Sequence, residues 1–112
     1  MAVAEIWLRD SSRNDLSPET QFVLAYGAAH AVCVAALRRL GYRTEKRYLV
    51  FQLLPTTLGL GPEVWRVLDK AHEKRNLLEY EGMTDIEPQL LNDLLIATTA
   101  VLTAWRQTTK QE

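Results

Sequence analysis

Apolar residues in this chain recur at steps of three and four, the spacing that lines one side of an α-helix, and strand-like alternation is weak throughout. Phe22, Tyr26, Ala29, Cys33, Leu37 and Leu40 form the first such stripe. Helix punctuation brackets it. Ser17-Pro18-Glu19 supplies a cap, a proline in the first turn and an acid, and Gly41 supplies a stop. The pattern predicts a helix over 18–40. A second helix is predicted from Thr44, as its cap, to Leu54, where Pro55 removes a backbone donor and kinks or ends it. Residues 56–61 read as a connector. Gly61-Pro62-Glu63 opens a third helix that runs to Tyr80 or Glu81 and stops at Gly82. Asp85-Ile86-Glu87-Pro88 opens a fourth, with Leu91, Leu94, Leu95, Thr98, Leu102 and Trp105 as its apolar stripe. Residues 3–9 predict one or two helical turns that dock Ile6, Trp7 and Leu8 on the body. Residues 10–16 predict a loop, and 108–112 a frayed end.

Short connectors favour antiparallel neighbours, so the expected fold is all-α: an up-down four-helix bundle with a short N-terminal lead-in, one domain over 1–112. The first long helix is rich in small residues, Ala25, Gly27, Ala28, Ala29, Ala31, Ala35 and Ala36. These let another helix approach closely, either inside the bundle or across a dimer seam.

The 112 residues suffice for a single domain; 47% are hydrophobic and 24% charged, which disfavours disorder along most of the chain. A net charge of -1 gives no global pull toward nucleic acid or anionic lipid. The single cysteine, Cys33, excludes an intramolecular disulfide and a cysteine-rich zinc site, and it reads as a small core hydrophobe. No signal peptide is expected, because Glu5 interrupts the N-terminus, and no apolar run is read as approaching a membrane span. The expectation is a soluble cytoplasmic protein with no membrane contact, no metal and no cofactor.

Candidate chemistry centres on the third helix. On a wheel for 62–80, at about 100° per residue, Val64, Val67, Leu68, Ala71 and Leu78 form one apolar arc, and Arg75 falls near its middle. An inward-facing arginine cannot lose its proton, so it needs a buried acceptor, a wet cleft or an anionic ligand. His72, Asn76 and Tyr80 are four apart along one edge, and Arg75 and Glu79 are four apart and can pair. These five residues form the candidate site. The plainer reading is that Arg75 and Glu79 form an ion pair tying helices together, with His72 and Tyr80 lining the boundary.

Arg75-Asn76 on the third helix of a small helical bundle resembles the HEPN superfamily. The run from Ala71-His72 through Arg75-Asn76 to Glu79-Tyr80-Glu81-Gly82 is also similar to one bacterial branch of it. The layout of residues 18–106 shares in the resemblance. It implies an all-α protein that associates as a homodimer, with Arg75 and Asn76 in a cleft near the subunit boundary. Many members are metal-independent ribonucleases or toxins of toxin–antitoxin pairs. Their signature is an arginine, usually followed by a polar residue, and a histidine four to six positions later. Here those later positions hold Tyr80, Glu81 and Gly82, and no histidine follows His72. Tyrosine titrates at about 10, too high to replace a histidine efficiently at neutral pH without strong tuning. The resemblance thus implies a member that has lost nuclease chemistry.

A second cluster, Arg38, Arg39, Arg43, Lys46 and Arg47, has Tyr42 and Tyr48 in or beside it. Exposed, it would hold phosphates, with an aromatic for stacking. The plainer reading has Arg38 and Arg39 complementing a helix C-terminus and the others solvated. His30, four after Tyr26, reads as a satisfied core or boundary histidine. Gly59-Leu60-Gly61 lacks the pattern of a phosphate loop.

Three functions follow as expectations. The first is a non-catalytic HEPN-like association module that binds a nucleotide, RNA or protein partner through the Arg75/Asn76 cleft. The second is a ribonuclease toxin with an antitoxin partner, in which Arg75 holds the scissile phosphate, His72 or Tyr80 handles the proton and Asn76 positions it. The third is a structural adaptor in which Arg75 is an internal ion pair.

Overall fold

A computed structural model of the chain describes residues 2–43, 46–82 and 85–110, with the backbone alone at Arg47, Tyr48, Thr109 and Lys110. All of its regular structure is helical: α1 (Ala2–Ser11), α2 (Pro18–Arg39), α3 (Arg47–Gln52), α4 (Leu54–Thr57), α5 (Pro62–Glu81) and α6 (Pro88–Lys110).

The central helix is α2, which packs against all five others. Ser17 caps it, accepting from the Thr20 amide at 3.2 Å. At the other end Gly41 turns to φ 89, where a side chain is strained. The Gly41 amide bonds the Arg38 carbonyl and the Tyr42 amide bonds the Leu37 carbonyl, the paired closure of a Schellman stop. Phe22, Ala25, Tyr26, Ala28, Ala29, Val32, Cys33, Ala36 and Leu37 are all buried. They meet Phe51, Leu54, Leu68, Leu94, Val101 and Leu102 in one core, where each large side chain contributes about 1.5–3 kcal/mol of transfer free energy. Ala25, Ala28, Ala29 and Ala36 are therefore consumed by packing within the chain. Burial pushes the Cys33 thiol up, as expected of a core hydrophobe. Thr98, also buried, donates to the Ala25 carbonyl at 3.2 Å and ties α6 to α2.

Several expectations are corrected. The lead-in is a ten-residue helix, α1, that takes in Asp10 and Ser11 of the predicted loop. Ala4 and Ser11 are fully buried, with Leu8 packed against the core between them, so spacings of four and three put one side of α1 on the core. The Ser11 hydroxyl is satisfied by the Leu8 carbonyl at 2.6 Å. The predicted second helix breaks at Leu53 into α3 and α4. Pro55 falls in the first turn of α4, where its missing N–H costs no helical bond, so it starts a helix rather than ending one. The proposed cap Thr44 lies outside the described residues. Finally, α2 is long and apolar enough to cross a membrane, with half of its apolar window buried inside the fold. Polar Thr20, Gln21, Tyr26 and His30 mask this on inspection, but no Asp, Glu, Lys or Arg occurs between Glu19 and Arg38.

Candidate functional site

Helix α5 begins with Pro62 in its first turn and ends at Gly82, whose φ of 66 only a glycine adopts cheaply. Val64, Leu68 and Ala71 are buried, and Val67 and Leu78 pack partly against the core. That anchors the arc and turns Arg75 toward α2. Its side chain is only 23% exposed, and the guanidinium carbon sits 5.5 Å from the centre of the Tyr26 ring. Glu79 Oε1 lies 3.0 Å from Nη1. This is a charge contact off the N–H directions: among the described residues, the solvent-shielded Nη1 makes no hydrogen bond. Glu79 is half exposed, so it offsets only part of the charge.

Beside Arg75 lies a pocket of about 350 Å³ between α1, α2 and α5, lined by Trp7, Val23, Leu24, Tyr26, Gly27, His30, Ala31 and Arg75. Its volume is at the lower end of the ~300–1,000 Å³ typical of small-ligand sites. The walls are apolar and aromatic, and Arg75 is the only permanent charge among them. Gly27 sets the spacing, because a Cβ built there would meet two ring carbons of Trp7 at 3.3 Å.

Tyr26 organises the cluster behind the pocket. Its ring stacks with His30 (centroids 6.0 Å apart) on α2 and with His72 (6.4 Å) on α5, and meets Phe51 edge-on. The amide nitrogen of Asn76 faces His72 Nε2 at 3.4 Å, so that nitrogen accepts. Nδ1 then carries the proton and donates to the Tyr26 oxygen, 3.1 Å away. One turn earlier, burial raises the Asp69 carboxyl above its ordinary value, against opposing contributions from Gln52 and His72.

Of the five candidate residues, only Arg75 lines the pocket. His72 and Asn76 bond to each other at the cluster's rear, and Glu79 flanks Arg75. Tyr80 is 81% exposed and joins nothing here, because a step of five from Arg75 carries it past the buried edge. In the second candidate cluster, Arg38, Tyr42 and Arg43 line one small surface pocket, while Arg39 turns to α6. Arg39 lies over the Trp105 ring at 4.4 Å and donates to Thr108 at 2.9 Å. Arg38, Arg43 and Lys46 are exposed, and the Arg47 side chain lies outside the described residues. Sequence reasoning missed Trp7, Tyr26, Gly27 and His30 as site residues. The available signal was Gly27 inside an apolar helix, flanked by Tyr26 and His30 at helical spacing.

Comparison with protein-family models, with curated proteins and with solved structures finds no match for this chain.

Proposed function

We propose that this chain is a non-catalytic, HEPN-like association module that holds an anionic group of a partner at Arg75. The reading takes it as an up-down helical bundle acting as a cytoplasmic homodimer. One observation carries it: a mostly buried guanidinium, only partly neutralised by Glu79, is the one permanent charge in the wall of a pocket lined mainly by apolar and aromatic side chains. A desolvated cation beside apolar surface favours an anion with an apolar body. The reading centres the cleft on Arg75 with Tyr26 and His30, which line the pocket, rather than on Arg75 with Asn76, whose amide nitrogen faces His72. A single cation does not make a track for RNA, and Arg39 of the second basic cluster is engaged by Trp105 and Thr108.

The test uses 8-anilinonaphthalene-1-sulfonate, an aromatic monoanion, with Trp7 in the pocket wall as a fluorescence reporter. Arg75→Met is expected to weaken binding about tenfold with the helical circular dichroism unchanged. Unaltered binding in Arg75→Met/Glu79→Leu would leave only the structural ion pair.

The ribonuclease reading is favoured by one specific feature: His30, not His72, shares the pocket with Arg75 and can present a proton-transfer group there. Growth arrest on expression, lost in both Arg75→Ala and His30→Ala, supports it; intact cellular RNA after expression refutes it.

A further inference from the structure

Among the large apolar side chains left exposed, four belong to one region: Val3 (51%), Ile6 (44%) and Trp7 (37%) on α1, and Val23 (43%) on α2. The three from α1 fall within an arc of about 100°, beside the face that Ala4, Leu8 and Ser11 turn to the core. Trp7 and Val23 continue directly into the pocket wall that ends at Arg75. Scattered single exposed apolar residues need no explanation, whereas a contiguous group leading to a charged pocket does.

We infer that this surface docks an amphipathic helix of a protein partner. The partner's apolar stripe would lie along Val3, Ile6, Trp7 and Val23, and one of its carboxylates would reach Arg75. The inference rests on the reading of Arg75 above and names the class of its ligand. Charge decides between occupants. Arg75 is the one cation lining the pocket and half-exposed Glu79, at 3.0 Å, already offsets part of its charge, so the site suits at most a single carboxylate and falls short of a di- or triphosphate. Asn76, which would have broadened the polar contact, is turned to His72 at 3.4 Å. A mononucleotide would also leave the apolar surface outside the pocket uncovered, while a helix lying across it covers that surface with side chains at three- and four-residue spacing. Asp10, farther along the same side of α1, is paired with Arg9 at 3.7 Å.

The test titrates the full chain, by calorimetry and amide-shift mapping, with a synthetic amphipathic helix of leucine and glutamate. A leucine–lysine helix with the same apolar stripe serves as control. The glutamate helix is expected to bind about tenfold more tightly than the lysine helix, with shifts on α1, α2 and around Arg75. Val3→Glu and Ile6→Glu should each abolish that binding while leaving the sulfonate probe's binding intact. Arg75→Met should remove the preference for glutamate over lysine. Equal binding of the two peptides overturns the inference, as does capture by phosphatidylglycerol vesicles that is lost in Val3→Glu. A homodimer that Val3→Glu dissociates would assign the surface to a second copy, which also overturns it. If the arc variants change nothing while Arg75→Met still weakens probe binding, the helix inference fails and the Arg75 reading stands; if Arg75→Met changes neither, both fail.

Discussion

The Tyr26 hydroxyl meets Nδ1 of His72 at 3.1 Å, joining the central helix to the helix that carries Arg75 across 46 positions of sequence. The same phenol ring lies 5.5 Å from the guanidinium carbon. Tyr26 therefore serves both as core filler and as the floor on which the cation rests. Its burial, 2% exposed, makes the hydroxyl's partner obligatory.

Removing only that oxygen tests the link. Tyr26→Phe keeps the ring stack and the cation–π contact but strands the Nδ1 proton of His72. A loss of about 1 kcal/mol is expected, or roughly 4 °C in Tm for a domain of this size, read by thermal denaturation. Binding of the sulfonate probe should change little, because Arg75 keeps its floor.

Gly27→Ala probes the pocket's width. In a helix, alanine is favoured over glycine by about 1 kcal/mol. The added Cβ meets the Trp7 ring at 3.3 Å, and Trp7 is 37% exposed, so the ring has solvent to give way into. The two effects oppose each other. Stability is expected to stay within about 1 kcal/mol of the parent while Trp7 fluorescence shifts and probe affinity falls. A bulkier Gly27→Val should lose both stability and binding.

Long periodic helices were legible in the chain, and their ends followed from single residues: Pro18, Gly41, Pro62, Gly82 and Pro88. Three elements were not. The length of α1 depends on Ala4, Leu8 and Ser11 finding a tertiary surface, which local pattern does not reveal, and α3 and α4 divide at Leu53, one residue from where Pro55 suggested a stop. The inward turn of Arg75 was legible because helix geometry alone sets it. The pocket's other walls were not, since Trp7, Tyr26 and His30 come from two helices whose approach depends on Gly27.

Arg38 and Arg39 are neighbours in sequence with different roles. Arg39 stacks on Trp105 and bonds Thr108, holding the end of α2 to α6, while Arg38 is exposed. Arg39→Ala is expected to cost about 1–2 kcal/mol through lost packing and the cation–π contact, and Arg38→Ala less than about 0.5 kcal/mol. Urea unfolding of the two variants side by side separates these roles. Equal losses would mean that Arg39 gains nothing from α6.

Asp69 predicts a pH dependence with a definite sign. Burial raises its carboxyl in the folded protein; Gln52 donates to Oδ2 over a long 3.4 Å, and Oδ1 is buried with no hydrogen-bond partner among the described residues. A carboxyl that binds its proton more tightly when folded destabilises the fold while ionised. The cost is therefore present above the raised folded-state value and fades as pH falls through it. Asp69→Asn removes the ionisation. Discounted for solvent screening, the gain at pH 7 is on the order of a few tenths of a kcal/mol, about one to three degrees in Tm. The advantage should shrink as pH falls toward the ordinary carboxylate range, where the parent's own carboxyl is protonated. Paired melting curves across that range check it. An advantage that is constant with pH would mean that the amide helps through packing alone, and that the ionised carboxylate costs the folded protein nothing.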